Sequence, residues 1–217
     1  MKAALFLLCV VLGGAGTWFG VRGLRGVQFV KALYPLTLLV FTVPALAAGP
    51  RPLFAAGVVL GLAFCVVADY ILGTPDNSRR FVYGLAGFLL GYLVYGLTFL
   101  AHGPLLPASA GVAVLLAAVA YLQFMTFRRL SPALRGPVIF YILVVSFMLF
   151  GAAAFALHPG PSAVRKGLLL CGASLIYVSD SLIAHNLFRT PIPRSDLYIL
   201  PPYYAGQFCV VLQLFMD

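Results

Sequence analysis

Two aspartates stand in stretches where an acidic side chain is costly. Asp180 is at the centre of SLIYVSDSLIAHN, residues 174–186, and Asp69 lies in FCVVADYIL, residues 64–72. An ionised carboxylate on an apolar membrane helix costs about 3 kcal/mol even on insertion scales. The chain has five acidic residues, all Asp, and the sequence places Asp76, Asp196 and Asp217 in loops or at the terminus. Two carboxyls held at that cost are candidate functional groups. A protonated one donates and an ionised one accepts, which is general acid–base chemistry, or the two relay protons. A structural hydrogen-bond anchor is the plainer alternative.

The elements that position them are membrane helices. Of 217 residues, 63% are apolar and only 9% charged, where a soluble chain has roughly a quarter charged. A helix needs about 20 residues to span a bilayer, and the apolar runs predict eight, at about 3–20, 28–48, 53–73, 81–101, 105–127, 137–157, 166–188 and 197–216. The expected fold is therefore all-α, one eight-helix membrane bundle over residues 1–217, with no soluble domain. The first run resembles a signal peptide, but with seven spans behind it an uncleaved helix is the better reading. Pro35 and Pro44 are expected to bend the second helix without breaking it.

The net charge of +9 does not point to nucleic acid, because the basic residues sit between the apolar runs. Ten of them (Arg22, Arg25, Lys31, Arg79, Arg80, Arg128, Arg129, Arg135, Arg189 and Arg194) fall in odd-numbered loops, against four elsewhere, including Arg165 and Lys166. The positive-inside rule then puts the odd loops in the cytoplasm. In that orientation Asp69 is about 6 Å and Asp180 about 12 Å from the inner ends of their helices. Lys31, Tyr34, Tyr141, Tyr203, Tyr204 and Gln207 fall at similar depth, which predicts a polar chamber opening toward the inner leaflet. Each half carries its aspartate on its third helix, 111 positions apart (69 and 180), a hint of a parallel four-plus-four repeat.

Other side chains have plainer readings. Tyr177 is one turn before Asp180 on the same face, and mid-span Tyr92 and Tyr95 need buried partners for their hydroxyls. Ser179 and Ser181 read as packing or back-bonding hydroxyls, and His185 as interfacial. Three dispersed histidines and no Glu make a zinc site improbable, and no cofactor is expected. Cys9, Cys65, Cys171 and Cys209 read as small core residues.

Along nearly its whole length the chain resembles the YhhN family of membrane lysoplasmalogenases. The resembling pieces are FVKALYPLTLLV at 29–40, GLAFCVVADYIL at 61–72, FVYGLAGFLLGYLVY at 81–95, LRGPVIFYILVVSFM at 134–148, SLIYVSDSLIAHNLF at 174–188 and YYAGQ at 203–207. The resemblance implies eight membrane helices and cleavage of the vinyl-ether bond of a lysophospholipid substrate. It also implies that Asp69 and Asp180 are the essential acids, and it fits a multi-pass protein of a bacterial inner membrane. Two positions depart from the family pattern: Ala68 where Gly usually precedes the first aspartate, and Tyr92 where His is frequent.

Vinyl-ether hydrolysis begins with protonation of the outer alkene carbon and leaves an oxocarbenium ion, to which water adds. One protonated and one ionised carboxyl would supply the acid and steady the cation, as paired carboxyls do in glycosidases. Asp180 is taken as the acid and Asp69 as the base, with the reverse assignment open; Lys31 either anchors at the interface or contacts the lipid phosphate, and Tyr34, Tyr92, Tyr141, Tyr177, Tyr203, Tyr204 and Gln207 are taken to line the substrate site. Two other readings fit a buried aspartate pair. They are an intramembrane aspartyl protease, which YVSD and VADY loosely resemble, and a proton-coupled transporter or lipid flippase.

Overall fold

The computed structural model describes residues 2–24, 26–48, 51–72, 78–103, 105–127, 130 and 132–216. Asp76, Asp217, Arg25, Arg128 and Arg129 lie outside the described residues. The described chain is eight α-helices: α1 Lys2–Arg22, α2 Val27–Ala48, α3 Pro52–Leu72, α4 Ser78–Ala101, α5 Pro107–Phe127, α6 Pro132–Leu157, α7 Ala163–Phe188 and α8 Asp196–Leu212, closed by a 3-10 turn at Gln213–Phe215. Each forms where an apolar run must satisfy its own backbone hydrogen bonds, since lipid offers none.

Six of the eight contain stretches long and apolar enough to cross a membrane: Val27–Ala47, Pro52–Leu72, Val82–Ala101, Pro107–Thr126, Arg135–Leu157 and Ala163–Phe188. This is an integral, multi-pass membrane protein. In α1 the apolar stretch is the shorter Phe6–Arg22, and α8 has 17 residues. Pro35 and Pro44 sit inside an unbroken α2.

Joints between helices follow local rules. After Arg22, Gly23 takes φ +58°, and Leu24 and Gly23 donate back to Phe19 O and Gly20 O. That is a Schellman stop, which glycine forms without a Cβ clash. At the start of α7 the Ser162 hydroxyl accepts from the Arg165 amide at 3.3 Å, satisfying one of the unpaired first-turn donors.

Around the bundle, α1, α2, α3, α4, α6, α7 and α8 follow one another, and α8 packs back on both α1 and α2. By contrast, α5 lies outside that ring and packs chiefly on α6. The tightest crossings use glycine pairs. A Cβ on Gly91 of α4 would stand 2.8 Å from Gly61 O of α3, and one on Gly172 of α7 would stand 2.8 Å from Gly206 O of α8. Small residues at a crossing bring two backbones together in lipid, where apolar side chains alone gain little by associating.

Arg165, which ran against the loop-charge bias, is a core residue and only 2% exposed. Its Nε donates to Gln213 Oε1 at 2.9 Å, and its guanidinium lies over the rings of Phe54 and Phe155. It does not belong among the headgroup-facing charges.

Candidate functional site

Asp69 sits in the last turn of α3 and Asp180 two turns inside the end of α7. Both are buried, 6% and 4% exposed, and Asp180 lies within electrostatic reach of Asp69. Their hydrogen bonding differs. Tyr203 Oη of α8 donates to Asp69 Oδ2 at 2.6 Å, a length found when a hydroxyl meets a carboxylate. Tyr92 Oη of α4 approaches Asp180 Oδ1 at 3.4 Å, long for a hydroxyl donor. The other oxygen, Asp180 Oδ2, has no hydrogen-bond partner among the described residues.

An aromatic path joins the two acids. Phe88 stacks on Tyr92 and takes the ring of Tyr203 edge-on, each at 5.7 Å between centroids. Beneath it Tyr95 Oη donates to Gln207 Oε1 at 2.9 Å, and Gln207 Nε2 reaches Cys65 Sγ at 3.4 Å. Cys65 is one turn before Asp69. Tyr141 lies beside Asp180, and the two line a small cleft with Gln123, Tyr177 and Ser181. So Tyr141, Tyr203 and Gln207 gather around the aspartates as expected from depth, and the mid-span Tyr92 joins them. They do so as a packed tyrosine network rather than as walls of an open chamber.

The remaining candidates divide. Tyr34 Oη donates to Tyr204 O at 2.7 Å, and the two rings stand 4.3 Å apart. Both face a groove between α1, α2 and α8 that neither aspartate lines. Lys31, expected against a phosphate, pairs with Asp196 at 3.0 Å. Asp196, expected in a loop, is the first residue of α8, so a negative charge sits at a helix N-terminus, where the dipole favours it. Tyr177 Oη and His185 Nδ1 are buried without a partner among the described residues.

The serines behave as packing groups. Ser179 Oγ donates across to Ile199 O of α8, and Ser181 Oγ bonds back to Tyr177 O while accepting from Gln123 Nε2. Among the described residues no three His, Cys, Asp or Glu side chains cluster as metal ligands would.

Sequence reasoning passed over Phe88, Cys65 and Gln123. Phe88 and Cys65 each lie one turn before a candidate, Tyr92 and Asp69, so helical spacing held the signal for both. Gln123 is on α5, outside the ring of helices, and only the packing brings it to Ser181.

What the arrangement can do follows from the asymmetry. A carboxyl already holding a short hydroxyl bond suits a stable negative charge. One with a free oxygen suits a group that carries a proton and presents it.

Comparison with known sequences adds a family and named relatives. The YhhN family profile matches residues 27–214. "Lysoplasmalogenase TMEM86B" of Sus scrofa is 29% identical over 215 residues, 97% of this chain and 82% of that protein. "Lysoplasmalogenase TMEM86B" of Homo sapiens is 31% identical over 151 residues, 70% of this chain and 60% of that protein. "Lysoplasmalogenase TMEM86A" of Bos taurus is 31% identical over 160 residues, 73% of this chain and 65% of that protein. No solved structure matches.

Proposed function

The chain belongs to the YhhN family, and on that premise we propose that it hydrolyses the vinyl-ether bond of lysoplasmalogens, giving a fatty aldehyde and a glycerophospho-base. Relatives carrying the name lysoplasmalogenase support the reaction class. The observation that carries the mechanism is the unlike bonding of two buried carboxyls in one aromatic network.

Asp180 is the acid, and its proton goes to the outer alkene carbon, leaving positive charge shared between the inner carbon and the ether oxygen. The Asp69 carboxylate, oriented by Tyr203, steadies that cation and then takes a proton from water as the water oxygen bonds to the inner carbon. In the collapse of the hemiacetal, Asp69 returns its proton to the glyceryl oxygen as the carbon–oxygen bond breaks. The hemiacetal hydroxyl proton goes back to Asp180, and both acids end as they began. A positioned acid and base each contribute about 10²–10⁴ in rate.

Tyr92 and Tyr141 flank the acid, and Gln207 of α8 ties to Tyr95 of α4 and Cys65 of α3 under the base. Tyr34, Tyr177 and Tyr204 complete the surroundings of the substrate. All eight helices are read as spans with odd-numbered loops cytoplasmic, and a topology reporter placed after Leu130 reads that side directly.

The test is mass spectrometry of the purified protein with lysoplasmenyl-ethanolamine and with its saturated-ether analogue. Aldehyde is expected from the first and no change in the second. An intact vinyl ether, or turnover unaltered in both Asp69→Asn and Asp180→Asn, would overturn the proposal.

A further inference from the structure

The groove between α1, α2 and α8 takes no part in the network around the aspartates. It has a volume of about 550 Å³, within the range of small-ligand sites. Phe6 and Phe208 line one end, Trp18 and Leu197 the other. From Phe6 to Val21 there is about 22 Å of helix at 1.5 Å per residue, against roughly 15 Å for half of a bilayer's hydrocarbon core. The groove therefore has the length of one lipid tail. One wall is α1, which is drawn against both α2 and α8.

Three observations orient an occupant. Charge gathers at the end where α1 stops and α2 and α8 start: Arg22 lies 4.5 Å over the Trp18 ring, and Lys31 pairs with Asp196 close by. The Tyr204 hydroxyl, on a residue 3% exposed and lining the groove, has no hydrogen-bond partner among the described residues. Finally, Asp69 is in the last turn of α3, and its neighbour Tyr70 meets Phe29 in the first turn of α2 at 5.6 Å between ring centroids, so the charged end of the groove is also the end of the bundle that carries that aspartate.

We infer that this groove holds the single hydrocarbon chain of a lysophospholipid, with the phosphate at Arg22 and Lys31 and the first tail carbons beside the Tyr34–Tyr204 pair. This rests on the lysophospholipid reading above and adds where the chain lies. Phosphate oxygens suit the guanidinium and ammonium, the Tyr204 hydroxyl faces the glyceryl oxygens, and the apolar length takes the methylenes. The α8 wall separates this groove from Asp69, with Tyr204 on the groove side and Tyr203 on the Asp69 side, so the groove is where the lipid is held before its vinyl ether reaches the acids.

The experiment uses the full chain in phosphatidylcholine nanodiscs with a saturated-ether lysophospholipid carrying a diazirine at its tail end. A saturated ether is not hydrolysed, so the label reads binding alone. Crosslinks are expected in α1 near Phe6–Val10 and in α8 near Phe208, and labelling confined to α5 or α6 would overturn the inference. Gly14 lines the groove and a Cβ on it meets nothing within 4 Å, so Gly14→Phe puts a ring into the groove and is expected to cut labelling at least tenfold. The control Gly111→Phe, on α5 where a Cβ also meets nothing within 4 Å, is expected to label normally. Equal labelling of Gly14→Phe and the unaltered chain would also sink the idea. Should Gly14→Phe fail to accumulate, the crosslinked positions in the unaltered chain decide alone. Correct labelling without aldehyde release from lysoplasmenyl-ethanolamine removes the proposed reaction and keeps the groove; release with labelling elsewhere does the reverse.

Discussion

Helices α3 and α4 of the first half find counterparts in α7 and α8 of the second. Moving along by 111 residues carries the buried face of α3 onto that of α7: Val58 onto Leu169, Gly61 onto Gly172, Leu62 onto Ala173, Cys65 onto Ile176, Ala68 onto Ser179 and Asp69 onto Asp180. A shift of 115 does the same for α4 and α8, taking Phe88 to Tyr203, Gly91 to Gly206, Tyr92 to Gln207 and Tyr95 to Val210, all buried. The glycine crossings correspond, and each aspartate follows its glycine by eight residues (61 to 69, 172 to 180). Partners are then exchanged: α8 of the second half serves Asp69, and α4 of the first serves Asp180.

The lesson lies in one departure. Where α8 presents Tyr203 to Asp69, the corresponding residue of α4 is Phe88, which has no hydroxyl. Asp180 is left with Tyr92 at a longer distance, with Tyr141 beside it, and with Oδ2 unpartnered among the described residues. Two carboxyls in matching places thus acquire unlike surroundings, which is the condition for dividing acid and base roles between them. A second contrast is Phe54 against Arg165, where the later half carries a buried cation and the earlier half the ring beneath it.

The strongest test removes either acid. Asp69→Asn and Asp180→Asn are each expected to lower aldehyde release by at least about 10³-fold, and the double variant to be little worse, because groups acting as a unit are not additive. Strictly multiplying losses would mean that the two act separately. The tyrosines sharpen the comparison. Tyr203→Phe, losing a charge-assisted bond worth roughly 1.5–3 kcal/mol, should slow turnover about 10–100-fold, and Tyr92→Phe, near 1 kcal/mol, about fivefold. The reverse order would exchange the assigned roles.

Packing tests probe the equivalence itself. Gly91→Ala and Gly206→Ala each drive a methyl group to within 2.8 Å of a facing backbone oxygen, so each should cost about 1–3 kcal/mol of stability. Thermal unfolding in detergent should show similar losses for the pair, and a loss at one alone would break the correspondence. The smallest effect belongs to the Lys31–Asp196 pair. It is partly exposed, so Asp196→Asn should cost no more than about 1 kcal/mol, and added salt should shrink even that.

Much of this was legible in the order of residues. Eight apolar runs gave eight helices with ends close to those expected, because in lipid the backbone must bond within its own segment and the hydropathy pattern alone fixes where that happens. Asp69 and Asp180 were conspicuous for the same reason: an acid on such a helix is conspicuous without any coordinates. Depth along a helix also picked out Tyr203, Tyr141 and Gln207, and the need of a mid-span hydroxyl for a partner picked out Tyr92. Other matters were settled only by the packing of the helices. That Lys31 meets Asp196, whether Arg165 was a loop charge or a core cation, and which tyrosine met which carboxyl all depended on neighbours 48 to 165 residues away. Helical periodicity states which face a side chain occupies but not which helix lies opposite. That is set by where glycines let two backbones approach, and it made a tyrosine network of the space expected to be a chamber and put the groove beside α1.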